Sequence, residues 1–183
     1  MINSVTKPES DFLKPTFYHL LLLHDKNSLT NLDDLMRCYR YFKECRNCLA
    51  HKGGIADDKT EDAYKEFLVV ATTTNLGVKE VPVHEPIIKG QPIKVELRGI
   101  TGFCEIILKI LTTLDAEFAR SEKAEKEFLR RWKNAHVSPI FLTRRNIYQR
   151  ENKIRGLVRK LQLPEPTTVS DLETWLLSKR LIF

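Results

Sequence analysis

Residues 32–54 read LDDLMRCYRYFKECRNCLAHKGG, and the fold turns on this stretch. Leu32, Leu35, Met36, Tyr39, Phe42, Cys45 and Leu49 recur at steps of three and four residues. That spacing lays side chains along one side of an α-helix. Asn31 or Thr30 is placed to cap it. Asp33 and Asp34 fall in its first turn, where the positive end of the helix dipole favours carboxylates. Gly53-Gly54 ends it, glycine being the residue that most easily enters the left-handed conformation of a helix stop. A helix of this kind is stable only if other elements bury its stripe.

The rest of the chain offers such elements. Pro15 suits the first turn of a helix over Thr16–His24, followed by a turn at Asp25–Ser28. A helix is expected from Asp58 to about Thr72, with Ala63, Tyr64, Phe67, Leu68 and Val70 inward. Residues 75–98 carry Pro82, Pro86, Gly90 and Pro92. They read as an irregular crossing with a short hairpin around Lys89-Gly90-Gln91 and a strand at Val95–Leu97. Phe103, Ile106, Ile107, Ile110, Leu111 and Leu114 mark a helix over Gly99–Ala119, expected to face the first stripe. A charged helix then runs from Ser121 to about Asn134, and Pro139 breaks the chain. Helices near Thr143–Leu163 and Ser170–Lys179 follow. Ser170 and Glu173 form a capping box, and Trp175, Leu176 and Leu177 serve as core. The expected fold is mainly α: a helical bundle over 1–134 with a short irregular or β-hairpin insertion, and a small basic helical unit over 135–183.

Composition narrows the function classes. Of 183 residues, 42% are hydrophobic and 30% charged, enough to build a core. No apolar run approaches the roughly 20 residues of a membrane helix, and Met1 to Pro15 lacks an apolar signal core. No membrane partner and a cytoplasmic location are therefore expected. Cys45 and Cys48 form a C-x-x-C pair, but no second pair follows to complete a structural zinc site. Reduced thiols, with no metal and no cofactor, are the expectation. No phosphate-cradling glycine loop and no nucleophile elbow occurs. The net charge of +6 is uneven: Arg130 to Lys160 holds ten basic residues against Glu151 alone, leaving the remainder slightly acidic. Such asymmetry points to an anionic partner, with nucleic acid foremost.

The chemistry-bearing run is Arg46-Asn47-Cys48-Leu49-Ala50-His51. On a helix Asn47 and His51 stand about 40° apart in rotation, and Arg46 about 140° from His51, within reach of a long side chain. RNA carries its own nucleophile, the 2′-hydroxyl. A histidine exchanges protons near neutral pH. An arginine grips phosphate with a fork of donors and offsets developing charge. An asparagine orients either group through its amide. Such a scheme requires no metal. Arg and His at a helix end also serve as plain surface or capping residues. His19, His24, His84 and His136 lack partners at catalytic spacing. Asp57-Asp58 reads as a helix cap rather than a metal pair.

Arg-Asn-x-x-x-His at the end of an amphipathic helix, followed by Lys52-Gly53-Gly54, resembles the R-x4–6-H signature of HEPN domains, in particular large HEPN proteins of prokaryotic defence and toxin–antitoxin loci. The resemblance covers residues 15–120 and not 135–183, and the segment before the motif helix is short for the family. It implies a helical bundle and a homodimer in which two motifs meet. It also implies a metal-independent endoribonuclease leaving a 2′,3′-cyclic phosphate and a 5′-hydroxyl, acting as a toxin or anti-phage effector beside an antitoxin or other defence-system protein. Carried over residue by residue, it makes Arg46, Asn47 and His51 catalytic. Lys52, Arg144, Arg145, Arg150, Lys153, Arg155 and Arg159 are the expected RNA contacts, with Tyr148 available for stacking; the other reading of the basic C-terminal unit is a solvated helix face, or one that docks an acidic antitoxin. The alternative is a catalytically inactive HEPN-fold module that binds nucleic acid or protein. A transcription regulator is disfavoured by the lack of helix-turn-helix spacing.

Overall fold

The computed structural model describes residues 9–136, 139–142 and 146–183, and Arg144 and Arg145 lie outside them. It is mainly helical. A π-helical turn, Lys14–Tyr18, with Pro15 near its start, runs into α1 (His19–Leu22). Then come α2 (Leu32–His51), α3 (Asp58–Val70), α4 (Thr73–Leu76), α5 (Leu97–Ala119), α6 (Glu122–Ala135), α7 (Ile147–Arg159) and α8 (Val169–Ser178). Among the described residues there are isolated β-bridges, Ile55 with Pro92 among them, but no strand. The expected strand at Val95–Leu97 does not form: a ladder needs a partner strand, and Leu97 instead opens α5.

The chain divides into two compact units: Lys26–Thr113, and the described residues before Lys26 together with those from Leu114 to Phe183. The division differs from the boundary expected at 134/135. The reason is the inner side of α6: Phe128 and Trp132 are buried with Phe12 and Phe17, with Ile154 and Val158 of α7, and with Leu172 and Leu176 of α8. Trp175 packs against that core, stacked on Phe12 at 3.9 Å between ring centroids. Leu177, expected inside, is 43% exposed. The expected Ser170–Glu173 capping box is absent. Helix α8 begins at Val169 with Thr168 as its cap residue, which places Ser170 within the first turn, and Glu173 pairs with Arg150.

In the first unit, α2 turns a wide arc inward. Leu32, Leu35, Cys38, Tyr41, Phe42, Cys45 and Cys48 are buried, whereas Met36, Tyr39 and Leu49 of the expected stripe are exposed. Helix α3 contributes Ala63, Phe67 and Val70, and the Tyr41 ring stacks on Phe67 at 4.9 Å. Helix α5 meets α2 through Phe103, stacked on Phe42 at 4.6 Å. Two glycines allow the irregular crossing to lie against α5. A Cβ on Gly99 would collide with the Val83 carbonyl oxygen, and one on Gly102 would sit 3.0 Å from Pro82 Cα. Asn31 occupies the cap position of α2 without capping it. Its amide donates to the carbonyls of Thr74 (3.1 Å) and Asn75 (2.9 Å), at the end of α4.

Candidate functional site

The end of α2 is pinned from its buried side. The Cys48 carbonyl accepts from Lys52 N at 2.9 Å and from Gly54 N at 3.0 Å. Gly53 (φ 62°) and Gly54 (φ 77°) adopt the left-handed conformation that turns the chain away. Gly54 O then accepts from Ile93 N at 2.8 Å. Cys48 Sγ lies 3.0 Å from the Thr60 hydroxyl. Thr60 donates through its hydroxyl (2.7 Å) and its backbone N–H (2.9 Å) to Asp57, the cap of α3. Asp57 also pairs with Lys52. The Lys52 ammonium, together with the Thr60 donors, holds the Asp57 carboxyl well below its usual range. The capping role expected of this acidic pair thus falls to Asp57.

With Cys45 and Cys48 facing the core, Arg46, Asn47 and His51 point outward. Arg46 and His51 are exposed and Asn47 is half-buried. They meet. Arg46 Nη1 donates to Asn47 Oδ1 at 3.2 Å and approaches His51 Nε2 to 3.4 Å. A guanidinium has donors and no acceptor, so a hydrogen bond across this contact is made only in the tautomer whose Nε2 accepts. Asn47 Nδ2 donates in turn to Glu44 at 3.3 Å, fixing the amide so that its oxygen faces Arg46. Lys43, 3.0 Å from Glu44, and the Asn47 amide hold the Glu44 carboxyl below its ordinary range. The sequence placed Glu44 only beside the motif. Its bond to Asn47 follows from the three-residue step on a helix.

Two of the buried thiols are disfavoured as thiolates. Burial pushes Cys45 up to about 11 and Cys38 up to about 12, and a metal needs the thiolate. Among the described residues no group of three His, Cys, Asp or Glu side chains could hold a metal ion.

The basic stretch looks different in space than in sequence. Arg155 pairs with Glu165 at 3.1 Å, and Arg159 Nε donates to the same carboxylate at 3.0 Å. Arg150 pairs with Glu173, and Lys153 donates to the Phe141 carbonyl at 2.8 Å. Arg130 and Arg131 pair with Glu127 at 2.7 and 2.9 Å, which holds that carboxyl down at about 2. The carboxylates of Glu165 and Glu173 come from beyond the stretch and are not legible from its local charge. Exposed pairs such as Arg159–Glu165 contribute little, whereas the Arg150–Glu173 pair is largely covered, its side chains 31 and 18% exposed. Lys52 belongs to the first unit and residues 150–159 to the second. The second unit also holds a cleft of about 590 Å³ beside Phe12, Thr16 and Trp175, to which no expected site residue belongs.

No helix among the described residues is long and apolar enough to cross a membrane. No family model, curated protein or solved structure matches the chain.

Proposed function

We propose that the chain is a metal-independent endoribonuclease of HEPN type, acting as a toxin or defence effector. The observation that carries this reading is the convergence of Arg46, Asn47 and His51 at the exposed end of α2. In the proposed reaction Arg46 moves from His51 to the scissile phosphate and offsets charge as the phosphorane forms. The released His51 Nε2 then accepts the proton of the 2′-hydroxyl as its oxygen attacks phosphorus. The 5′-oxygen leaves and is protonated from water, giving a 2′,3′-cyclic phosphate and a 5′-hydroxyl. Asn47, held by Glu44, keeps the guanidinium and the ring in register. RNA is the partner this chemistry requires; a second copy and an antitoxin are what the resemblance adds.

The test is incubation of purified protein with total RNA in EDTA. Cleavage to cyclic-phosphate ends, abolished in His51→Ala with helix content unchanged, supports the reading. Cutting retained by a clean His51→Ala preparation rejects it. Binding without cleavage, weakening steeply with salt, would support a nucleic-acid-binding module instead.

A further inference from the structure

The chain carries a net charge of +6, yet the cleft in the second unit gathers carboxylates. Glu9, Asp11, Glu122, Glu125 and Asp171 line it against a single base, Lys179. Glu9 is answered by Lys14 and Arg120, and Glu125 by Lys179 at 3.3 Å. Among the described residues Asp11, Glu122 and Asp171 have no cationic partner. One wall is aromatic. Trp175 lies stacked on Phe12, and the Lys179 ammonium sits 5.5 Å from the centre of the Trp175 ring. Thr16, which also lines the cleft, belongs to the π-helical turn, a kind of turn frequent at functional sites. It is fully buried and its hydroxyl has no hydrogen-bond partner, although a buried hydroxyl ordinarily finds one.

These features call for one complement. Carboxylates attract positive charge, the face of an indole attracts an ammonium, and an unpaired hydroxyl oxygen accepts from an N–H. Lys179 displays the arrangement, its ammonium set between the Trp175 ring and Glu125. The carboxylates do not converge on one point: among the described residues no three His, Cys, Asp or Glu side chains could hold a metal ion. Negative charges spread in this way are matched by several ammonium groups joined by methylenes. The methylenes can lie along the Phe12–Trp175 wall, as the apolar stem of a lysine does. At about 590 Å³ the cleft falls in the size range of small-ligand sites. We propose that it binds an aliphatic polyamine. One ammonium takes the place of Lys179 beside Trp175 and Glu125, and the others answer Asp11, Glu122 and Asp171. No motif residue lines the cleft, so the proposal stands independently of the ribonuclease reading.

Calorimetric titration of the full chain, freed of nucleic acid, with spermidine tests it. The salt is held at about 0.15 M, where exposed charges more than about 8 Å apart are largely screened. The expected result is one-to-one binding at micromolar concentrations, accompanied by a change in tryptophan fluorescence. Asp11→Asn/Glu122→Gln alters two exposed positions, and should weaken binding at least about threefold with circular dichroism unchanged. Lys179→Gln should tighten it by removing the internal competitor. Absence of spermidine binding overturns the proposal, as does a cleft that takes a lysine-rich peptide and not spermidine. Binding that magnesium displaces fully at equal ionic strength, or that neither variant alters, marks an unselective acidic surface and overturns it equally.

Discussion

Gly99→Ala and Gly156→Ala make the same chemical change in two helices, and the structure assigns them opposite signs. In a helix interior alanine is favoured over glycine by about 1 kcal/mol, because it gives up less backbone freedom on folding. At Gly156, within α7, an added Cβ meets nothing within 4 Å, so most of that gain should appear. At Gly99 the Cβ would collide with the Val83 carbonyl oxygen and come within 3.9 Å of the Phe42 ring. A backbone atom cannot rotate away as a side-chain tip does. The 82–83 segment would have to lift, and Pro82 is the residue packed on Gly102. Overpacking of this kind costs about 1–3 kcal/mol or more, which outweighs the propensity gain. We expect Gly99→Ala to be destabilised by about 2 kcal/mol and Gly156→Ala to be stabilised by about 0.5–1 kcal/mol. With roughly 4–8 °C per kcal/mol for a unit this size, melting followed by far-UV circular dichroism should separate the two variants by more than 10 °C. A Gly99→Ala protein that melts at or above the wild-type temperature would refute the close approach of residues 82–83 to α5.

Two further outcomes can be measured. His136 is 8% exposed, its Nε2 is 3.2 Å from the Leu157 carbonyl, and burial lowers its pKa below the ordinary value. Between the folded and unfolded values the unfolded chain binds the extra proton, so the second unit should lose stability as pH falls from about 7 through 6.5. Both tryptophans, Trp132 and Trp175, lie in that unit, and urea midpoints by their fluorescence should fall in the wild type but less in His136→Gln; equal slopes would remove His136 as the cause. Glu165→Gln should release Arg155 and Arg159, tighten RNA binding and steepen its salt dependence by about one counterion. Unchanged affinity in both Glu165→Gln and Arg159→Ala would take the α7 face out of any RNA contact.

What the sequence disclosed depended on the range of the interaction. The extent of α2 was readable, because three- and four-residue steps and a glycine stop are local signals. Its buried side was only partly so. Packed by both α3 and α5, the helix buries Cys38, Tyr41 and Cys48 while Met36, Tyr39 and Leu49 stay exposed, and small thiols carry little weight in an apolar count. The contacts of Arg46 with Asn47 and with His51 followed from helical spacing and the length of one side chain. The carboxylates that answer the basic stretch did not, because Glu165 and Glu173 reach it only once α7, α8 and the loop between them have folded. The 114–134 segment was misassigned for a similar reason: its charged exterior is local, whereas the partners of Phe128 and Trp132 are far along the chain.

The two sides of the α2 terminus differ in a way that matters for chemistry. On the inner side Cys48, Thr60, Asp57 and Lys52 form a closed set of contacts, several at 2.7–3.0 Å, that leaves the backbone before Gly53 little freedom. On the outer side the guanidinium of Arg46 is held by contacts of 3.2 and 3.4 Å at an exposed position. A phosphate offers that guanidinium a charge-assisted, two-pronged contact in place of two long single ones. In the proposed reaction, transfer of Arg46 to a phosphate would leave the Cα positions of Asn47 and His51 in place and uncover His51 Nε2.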